Sequence, residues 1–131
     1  MLISMCMAKL HRVTVKQADL NYVGSITIDE ALLEASGIQE YQYVNITNVS
    51  NAVFWRTYVM AGKKGTGVIC LNGPPARLFQ PGDKIIVLAE AWVDHAELKE
   101  KNLKTVVVFV DDDNQITSVT AHKEVLPKGS I

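Results

Sequence analysis

The side chains able to do chemistry in this sequence lie in apolar, strand-like surroundings, outside any standard catalytic motif. The sequence has no G-x-S-x-G turn for a serine nucleophile and no G-x-G-x-x-G or G-x-x-x-x-G-K-[ST] loop for a phosphate. Its three histidines, His11, His95 and His122, lack the spacing of a metal-ligand motif, so no metal site is predicted. What remains is a dispersed set of polar residues: Lys9, His11, Tyr22, Ser25, Arg56, Thr57, Tyr58 and Asn72.

These residues also have ordinary structural interpretations. A charged residue such as Arg56 is typical of a solvated strand position, and a tyrosine such as Tyr58 suits the edge of a core. Asn72 precedes a glycine, as in a turn. The pair Gly24-Ser25 is itself a common turn sequence. Residue types and spacing alone leave the structural and the functional interpretations open.

Size, charge and composition narrow the class of protein. A chain of 131 residues has the usual length of one domain, and its 48% hydrophobic content suffices for a core. The net charge of −1 shows no excess of basic side chains, so the charge balance typical of a nucleic-acid-binding protein is missing. Cys6 and Cys70 are too few for a disulfide framework, and both are predicted to be small buried residues. The apolar start "MLISMCMA" is too short for a signal-peptide core or a membrane span, which favours a soluble cytoplasmic domain.

The clearest predicted helix is "TIDEALLEASGI". Thr27 and Glu30 have capping-box spacing, the helix is expected to end at Ser36, and Gly37 suits the position that follows. A second segment, "DHAELKEK", is expected to form one or two helical turns.

Most of the remaining chain is predicted to be β-structure. In "MAKLHRVTV" the alternation predicts that residues 9, 11, 13 and 15 share one face, with 10, 12, 14 and 16 on the other. The tail "LPKGSI" is expected to fray. Strands separated by turn signals, without a βαβ rhythm, favour a mainly β barrel or sandwich. The predicted later strands are "YQYVNITNV", "FWRTYVMA", "GVICLN", "KIIVLAEAWV", "TVVVFV" and "ITSVTA".

Three ordered blocks of the sequence resemble the pyruvoyl-dependent aspartate 1-decarboxylase family. They are "KLHRVTVKQADLNYVGSITID", "NVSNAVFWRTY" and "NGPPARL" followed by "QPGDKIIV". The blocks keep the family's spacing without gaps and cover residues 5 to 90. The resemblance implies a single domain over residues 1–131, a small six-stranded double-ψ β-barrel with one or two short helices. It also implies a homotetramer with active sites between adjacent subunits.

The resemblance gives the Gly24-Ser25 pair a mechanism of self-cleavage. In the family, the serine hydroxyl attacks the carbonyl of the preceding glycine and converts the peptide to an ester. β-Elimination then cuts the chain, and hydrolysis of the resulting dehydroalanine leaves a pyruvoyl group, here from Ser25. Glycine suits this position because its backbone tolerates a close, strained approach.

The resemblance also implies roles for the other polar residues. The pyruvoyl forms a Schiff base with the substrate amine and accepts the electrons released with CO₂. Thr57 matches the donor that stabilises the oxyanion of self-cleavage, and Tyr58 matches the proton donor of decarboxylation. Lys9 matches a lysine that binds a substrate carboxylate. The remaining matches are residues that line the site or position its contents: His11, Tyr22 and Asn72.

Three departures from the family pattern bear on the substrate. Phe54 stands where the family has an arginine that binds a carboxylate, and Thr47 stands where it has a tryptophan. The usual "NGAAAR" is "NGPPAR" here, so Pro74 and Pro75 remove two backbone N–H groups. Arg56 is expected on the same strand face as position 54, about 7 Å along the strand. It is therefore either a displaced carboxylate-binding residue or a solvated residue beyond the pocket edge.

Three functions remain open at this point. The first is conversion of L-aspartate to β-alanine and CO₂, as in the supply of pantothenate and coenzyme A precursors. The second is the same chemistry on a different amino acid, and the third is a barrel that no longer cleaves itself and serves as a binding or assembly module. Maturation in the first two functions is either spontaneous or assisted by a helper protein, and neither nucleic acid nor membrane is an expected partner.

Overall fold

The computed structural model describes residues 1–22 and 24–121, which form a mainly β domain with short helices. The predicted tail "LPKGSI" and His122 lie outside the described residues. The helices are α1 Glu30–Ser36, α2 His95–Glu100 and a 3₁₀ helix Pro74–Arg77. The strands are β1 Leu2–Thr14, β2 Gln17–Asp19, β3 Ser25–Asp29, β4 Tyr43–Asn48, β5 Phe54–Gly62, β6 Ile69–Asn72, β7 Lys84–Asp94, β8 Val106–Val110 and β9 Ile116–Thr120.

The strands form one continuous arrangement in the order β2-β6-β3-β5-β4-β7-β1-β8-β9. Neighbours are antiparallel except for the parallel pairs β1–β8, β2–β6 and β3–β5. The N–H of Lys16, just after β1, donates to the C=O of Ile69 in β6 at 2.9 Å, which links distant members of this order. The mainly β class with two short helices is confirmed. Strands exceed the six that the resemblance implies, because the three-residue β2 and the β8–β9 hairpin add to the sheet.

The core is built from the apolar residues that alternate inward along these strands. They come from most strands and from α1, and their side chains are fully buried: Leu10, Ile26, Ile28, Leu32, Val44, Ile46, Val59, Ile69, Leu71, Ile85, Val87 and Val108. Phe79, after the 3₁₀ helix, closes the same cluster.

The predicted alternation of "MAKLHRVTV" is wrong after residue 10. Leu10 is fully buried, and so is Val13, although the simple pattern places them on opposite faces. A register shift between Leu10 and Val13 explains this, since Arg12 within it has a positive φ of 58°. One extra residue in a β-bulge exchanges the faces of every residue beyond it.

The predicted capping box of α1 is also wrong. Thr27 lies within β3, and the N-cap is Asp29, whose Oδ1 accepts from the Ala31 N–H at 2.8 Å. Asp29 is almost fully buried and also accepts from the N–H groups of Gly65 and Gly67, so the carboxylate joins α1 to the loop after β5. The predicted end of α1 at Ser36 is confirmed, with Gly37 in the left-handed conformation.

The two cysteines differ in burial. Cys70 is buried as predicted, but Cys6 is exposed, because a register shift between Cys6 and Ala8 turns this part of β1 outward. Both thiols are free. Within the described part of the chain, the helices are all too short or too polar to cross a membrane.

A buried asparagine attaches the C-terminal hairpin to the barrel. Asn114 lies between β8 and β9 with a positive φ of 60° and is 1% exposed. Its Oδ1 accepts from the Thr14 N–H, and its Nδ2 donates to the C=O groups of Thr14 and Gly67, all at 2.8 Å. This amide pairs with the end of β1 as a neighbouring strand would.

We expect Asn114→Ala to destabilise the domain by about 3 kcal/mol, because it leaves buried backbone groups of Thr14 and Gly67 unpaired. Asn102→Ala is the matched control, since Asn102 also has a positive φ but is exposed. The measurement is Tm by calorimetry at equal protein concentration. Equal losses of Tm in the two variants would show that the left-handed backbone, and not the amide contacts, accounts for the effect.

Candidate active site

Ser25 lies at the start of β3, between β6 and β5. It pairs directly with Asn72 of β6, and the next residue of β3, Ile26, pairs with Val59 of β5. This parallel register places Tyr58 level with Ser25, on the face away from the core, and Thr57 level with Gly24. The structure therefore brings Ser25 and Asn72 into contact, and continuing the β3–β5 register places Gly24, Thr57 and Tyr58 on the adjoining ends of these two strands.

The Ser25 hydroxyl is held by a buried amide. Ser25 is 3% exposed, and its Oγ accepts a hydrogen bond from Nδ2 of Asn72 at 3.0 Å. The same Nδ2 donates to Oγ1 of Thr27, also at 3.0 Å, so both amide hydrogens are used. A turn is therefore the wrong interpretation of Ser25, which is a paired strand residue with a fixed hydroxyl.

The backbone before Ser25 lies against Gly73. Gly73 has a positive φ of 79°, and a Cβ there would lie 2.9 Å from the Gly24 Cα and 3.1 Å from the Tyr22 carbonyl oxygen. Its own N–H donates to the Asp19 C=O at 2.8 Å. Both the conformation and the close approach require glycine at this position. Tyr22 thus reaches the site through its backbone, while its side chain is exposed.

Lys9 lies on a different part of the sheet from Ser25. In the strand order, β7, β4 and β5 separate β1 from β3. Across these strands Lys9 pairs with Leu88, Leu88 with Asn45, and Asn45 with Arg56. Strand spacing makes this row of four residues about 14 Å long. The row therefore places Lys9 and Arg56 on the same face of the sheet. Ser25 and Asn72 lie elsewhere, on the paired strands β3 and β6.

His11 is half-buried on β1 and contacts Phe109 edge to face, with the ring centroids 5.4 Å apart. Among the described residues, both ring nitrogens are buried without a hydrogen-bond partner. Burial lowers the pKa of His11, and the nearby charges of Lys9 and Arg12 lower it further. The imidazole is therefore neutral at neutral pH, with a polar edge that the described part of the chain does not satisfy.

Arg56 is exposed but not isolated. Its Nη1 donates to Oδ1 of Asn45 at 3.2 Å, and its guanidinium lies over the Tyr43 ring at 5.3 Å. Tyr43 in turn stacks on Tyr58 with a centroid separation of 6.0 Å. The guanidinium is thus packed beside the predicted proton donor, on the face that position 54 shares. Phe54 is 61% exposed.

The two prolines begin the 3₁₀ helix that follows Gly73. Pro74 and Pro75 have no N–H, and the Ala76 N–H donates to the Gly73 C=O at 3.0 Å. Positions 74 to 76 therefore present no free backbone donor to a bound anion.

Sequence reasoning missed several residues of this site. Thr27 was assigned to a helix cap, although it shares the Asn72 amide with Ser25. Cys70 and Gly73 are separated from Ser25 in sequence, and only the β6–β3 pairing reveals their proximity. In the sequence, only the spacing of two residues between positions 70 and 72 indicates that their side chains lie on the same face of a strand.

Comparisons with known proteins show the family to which this chain is similar. Residues 1–117 match the family model described as aspartate decarboxylase. The chain is 50% identical over 123 residues to "Aspartate 1-decarboxylase" of Clostridium beijerinckii, covering 94% of this chain and 98% of the relative. It is 54% identical over 117 residues to the protein of the same name from Lactiplantibacillus plantarum, covering 89% and 88%.

Among solved structures, the chain is similar to the rationally designed mkDPBB_sym_86 protein. The TM-score is 0.47 at 16% identity, over 60% of this chain and 92% of the designed one.

We expect Gly73→Ala to lower Tm more than Gly37→Ala does. Both glycines have a positive φ, but Gly37 is left-handed with ψ 5°, which costs another residue about 1–2 kcal/mol, whereas Gly73 has ψ −147°, a conformation almost confined to glycine. Only at position 73 does the new Cβ meet backbone, that of Gly24 and Tyr22, since nothing lies within 4 Å of it at position 37. Calorimetry of both variants is the measurement, and equal Tm values would contradict the close packing of Gly73 against the Gly24 segment.

Proposed function

The chain belongs to the aspartate decarboxylase family and is a carboxy-lyase, and we propose that it cleaves itself between Gly24 and Ser25 and then converts L-aspartate to β-alanine and CO₂. The observation that carries the proposal is the buried Ser25 hydroxyl, which Asn72 holds at 3.0 Å. Gly24, whose carbonyl the hydroxyl must attack, is packed against Gly73. A fixed nucleophile beside a fixed carbonyl lowers the entropic barrier of an intramolecular attack.

The surroundings of residue 25 fit a pyruvoyl group made from Ser25. Asn72 provides amide hydrogens at the position of the present hydroxyl oxygen, and Thr27 borders the same space. Once formed, the keto group supplies the electron sink for loss of CO₂. Tyr58 is level with residue 25 on the outer face and is the proposed proton donor, and Thr57, level with Gly24, is the proposed oxyanion donor of self-cleavage.

The position of Lys9 supports a site shared between copies of the chain in a homotetramer. Lys9 lies four strands from Ser25 in the sheet order, so strand pairing within one chain does not place them side by side. In the proposed homotetramer, one copy supplies Lys9 and its neighbour supplies residue 25. The cation of Lys9 then binds the carboxylate of a substrate held at residue 25 of the neighbour. The unsatisfied ring nitrogens of His11, near Lys9 on β1, suit the same interface. Tyr22, exposed beside Gly73, completes the proposed lining.

A second candidate function is the same decarboxylation on a less acidic amino acid. The exposed Phe54 in place of the family's arginine favours it, and so does the lack of free N–H groups at Pro74 and Pro75. CO₂ release measured over a panel of amino acids distinguishes the two functions. Turnover of an apolar amino acid without turnover of aspartate would establish the second.

We expect the purified chain to consist of residues 1–24 and residues 25–131, with the mass of a pyruvoyl group at the start of the larger fragment. Ser25→Ala should remain a single chain and release no CO₂, because it lacks the attacking oxygen. Ser36→Ala is the matched control, since Ser36 is also buried but lies at the end of α1. Intact mass spectrometry is the measurement. An uncut wild-type chain that stays uncut on warming would contradict the proposed self-cleavage.

For aspartate as substrate, we expect Arg56→Ala to raise KM tenfold to a hundredfold, the effect of losing a charged hydrogen bond of about 1.5–3 kcal/mol. Arg56→Lys keeps the charge and should raise KM less. Because Arg56 also packs on Tyr43, Tm is measured for both variants to separate folding from binding. An unchanged KM in Arg56→Ala would show that Arg56 does not bind the substrate carboxylate.

A further inference from the structure

Cys70 contacts the amide that holds Ser25. Cys70 and Asn72 are two residues apart on β6, and therefore share a face. The Cys70 Sγ–H donates to Oδ1 of Asn72 at 3.1 Å, and both residues are buried. The other end of the same amide donates to Ser25 and Thr27.

The hydroxyl groups of Ser25 and Thr27 cannot by themselves decide which way the amide points. A hydroxyl both donates and accepts, so it can bind either Nδ2 or Oδ1. The thiol contact favours the present orientation, because the Cys70 Sγ–H donates to Oδ1 there, whereas in the reversed amide Nδ2 would meet only a weak sulfur acceptor. Burial raises the pKa of Cys70, and the Asp19 charge raises it further, against a smaller lowering by an Asp19 backbone hydrogen bond. The thiol therefore stays protonated at neutral pH.

We propose that Cys70 is a positioning residue for self-cleavage, which fixes the Asn72 amide so that its N–H groups point at Ser25. This inference rests on the proposed self-cleavage between Gly24 and Ser25. Cys70 acts through Asn72, since its hydrogen bond ends on that amide.

The orientation of the amide matters for the first step of cleavage. In that step the Ser25 Oγ forms a bond to the Gly24 carbonyl carbon, and the bond from that carbon to the Ser25 nitrogen breaks. The hydroxyl proton ends on the released nitrogen, which leaves an ester and a free amine. With Nδ2 donating to Oγ, the hydroxyl hydrogen is left free to depart. In the reversed amide, Oδ1 would instead hold that hydrogen, and Oγ would lose its donor.

The test measures the rate of chain cleavage, which does not depend on decarboxylation. The chain is made by cell-free translation, and intact masses are followed over time for the uncut chain and for residues 25–131. Cys70→Ala and Cys70→Val both remove the donor and differ in volume. We expect both to slow cleavage about tenfold, the effect of about 1.4 kcal/mol on a rate. Cys70→Ser keeps a donor but adds a good acceptor, so it should orient the amide less strictly and cleave more slowly than wild type but faster than Cys70→Ala.

Cys6→Ala is the matched control, because Cys6 is exposed on β1, and it should cleave at the wild-type rate. Cleavage of Cys70→Ala and Cys70→Val at the wild-type rate would overturn the role of Cys70 and leave self-cleavage intact. A Cys70→Ser rate as low as that of Cys70→Ala and Cys70→Val would also overturn it, because the loss would then not depend on the donor. An uncut wild-type chain would instead refute the proposed self-cleavage, and the Cys70 role with it.

Discussion

The antiparallel pairing of β6 with β3 is the constraint on which the candidate site depends. It sets Asn72 directly opposite Ser25 and lets one amide bind the hydroxyls of Ser25 and Thr27. On the other face, Ile26 and Leu71 of the same two strands are fully buried in the core. A slip of one residue in this pairing would turn the core residues outward, so the hydrophobic core itself fixes the position of Ser25. Ordinary side-chain packing in the core therefore determines where Ser25 lies.

The polar residues of the chain fall into two groups that the sheet order separates. One group surrounds Ser25 on β3, β5 and β6, and the other runs across β1, β7, β4 and β5 from Lys9 to Arg56. Tyr58 belongs to both groups, because β5 pairs with β3 on one side and with β4 on the other. A strand shared in this way couples the position of the proposed proton donor to both groups of residues.

The sequence predicted the elements with strong local patterns and missed those determined by distant contacts. The strands from β4 to β9 and both helices follow from runs of β-branched, aromatic or helix-forming residues. The face on which Val13 lies does not follow from the sequence, because the bulge at Arg12 is not marked by a distinctive residue type. The sequence pattern favours Thr27 as the N-cap, but pairing with Met60 and Cys70 holds Thr27 in β3, and Asp29 caps α1 instead through the Ala31 N–H.

The residues of the candidate site likewise divide into those that the sequence indicates and those that only distant contacts reveal. The resemblance indicates Ser25, Tyr58 and Asn72 as a set, and the structure adds the β3–β6 pairing that brings Ser25 to Asn72. Thr27 and Cys70 are ordinary strand residues until the pairing of β3 and β6 is known. Local propensity carries no information on such contacts, since they depend on tertiary register.

The length and pairing of β1 have a consequence for the integrity of a cut chain. β1 runs from Leu2 to Thr14 and is hydrogen-bonded on both sides, to β7 and to β8. Leu10 and Val13 anchor it in the core. After a break at Gly24, residues 1–24 would be a separate peptide. Its strand β1 would lie between β7 and β8 of the larger fragment. Such a peptide leaves only if the whole barrel opens, so the two pieces would persist as a single non-covalent molecule whose dissociation and unfolding are the same event.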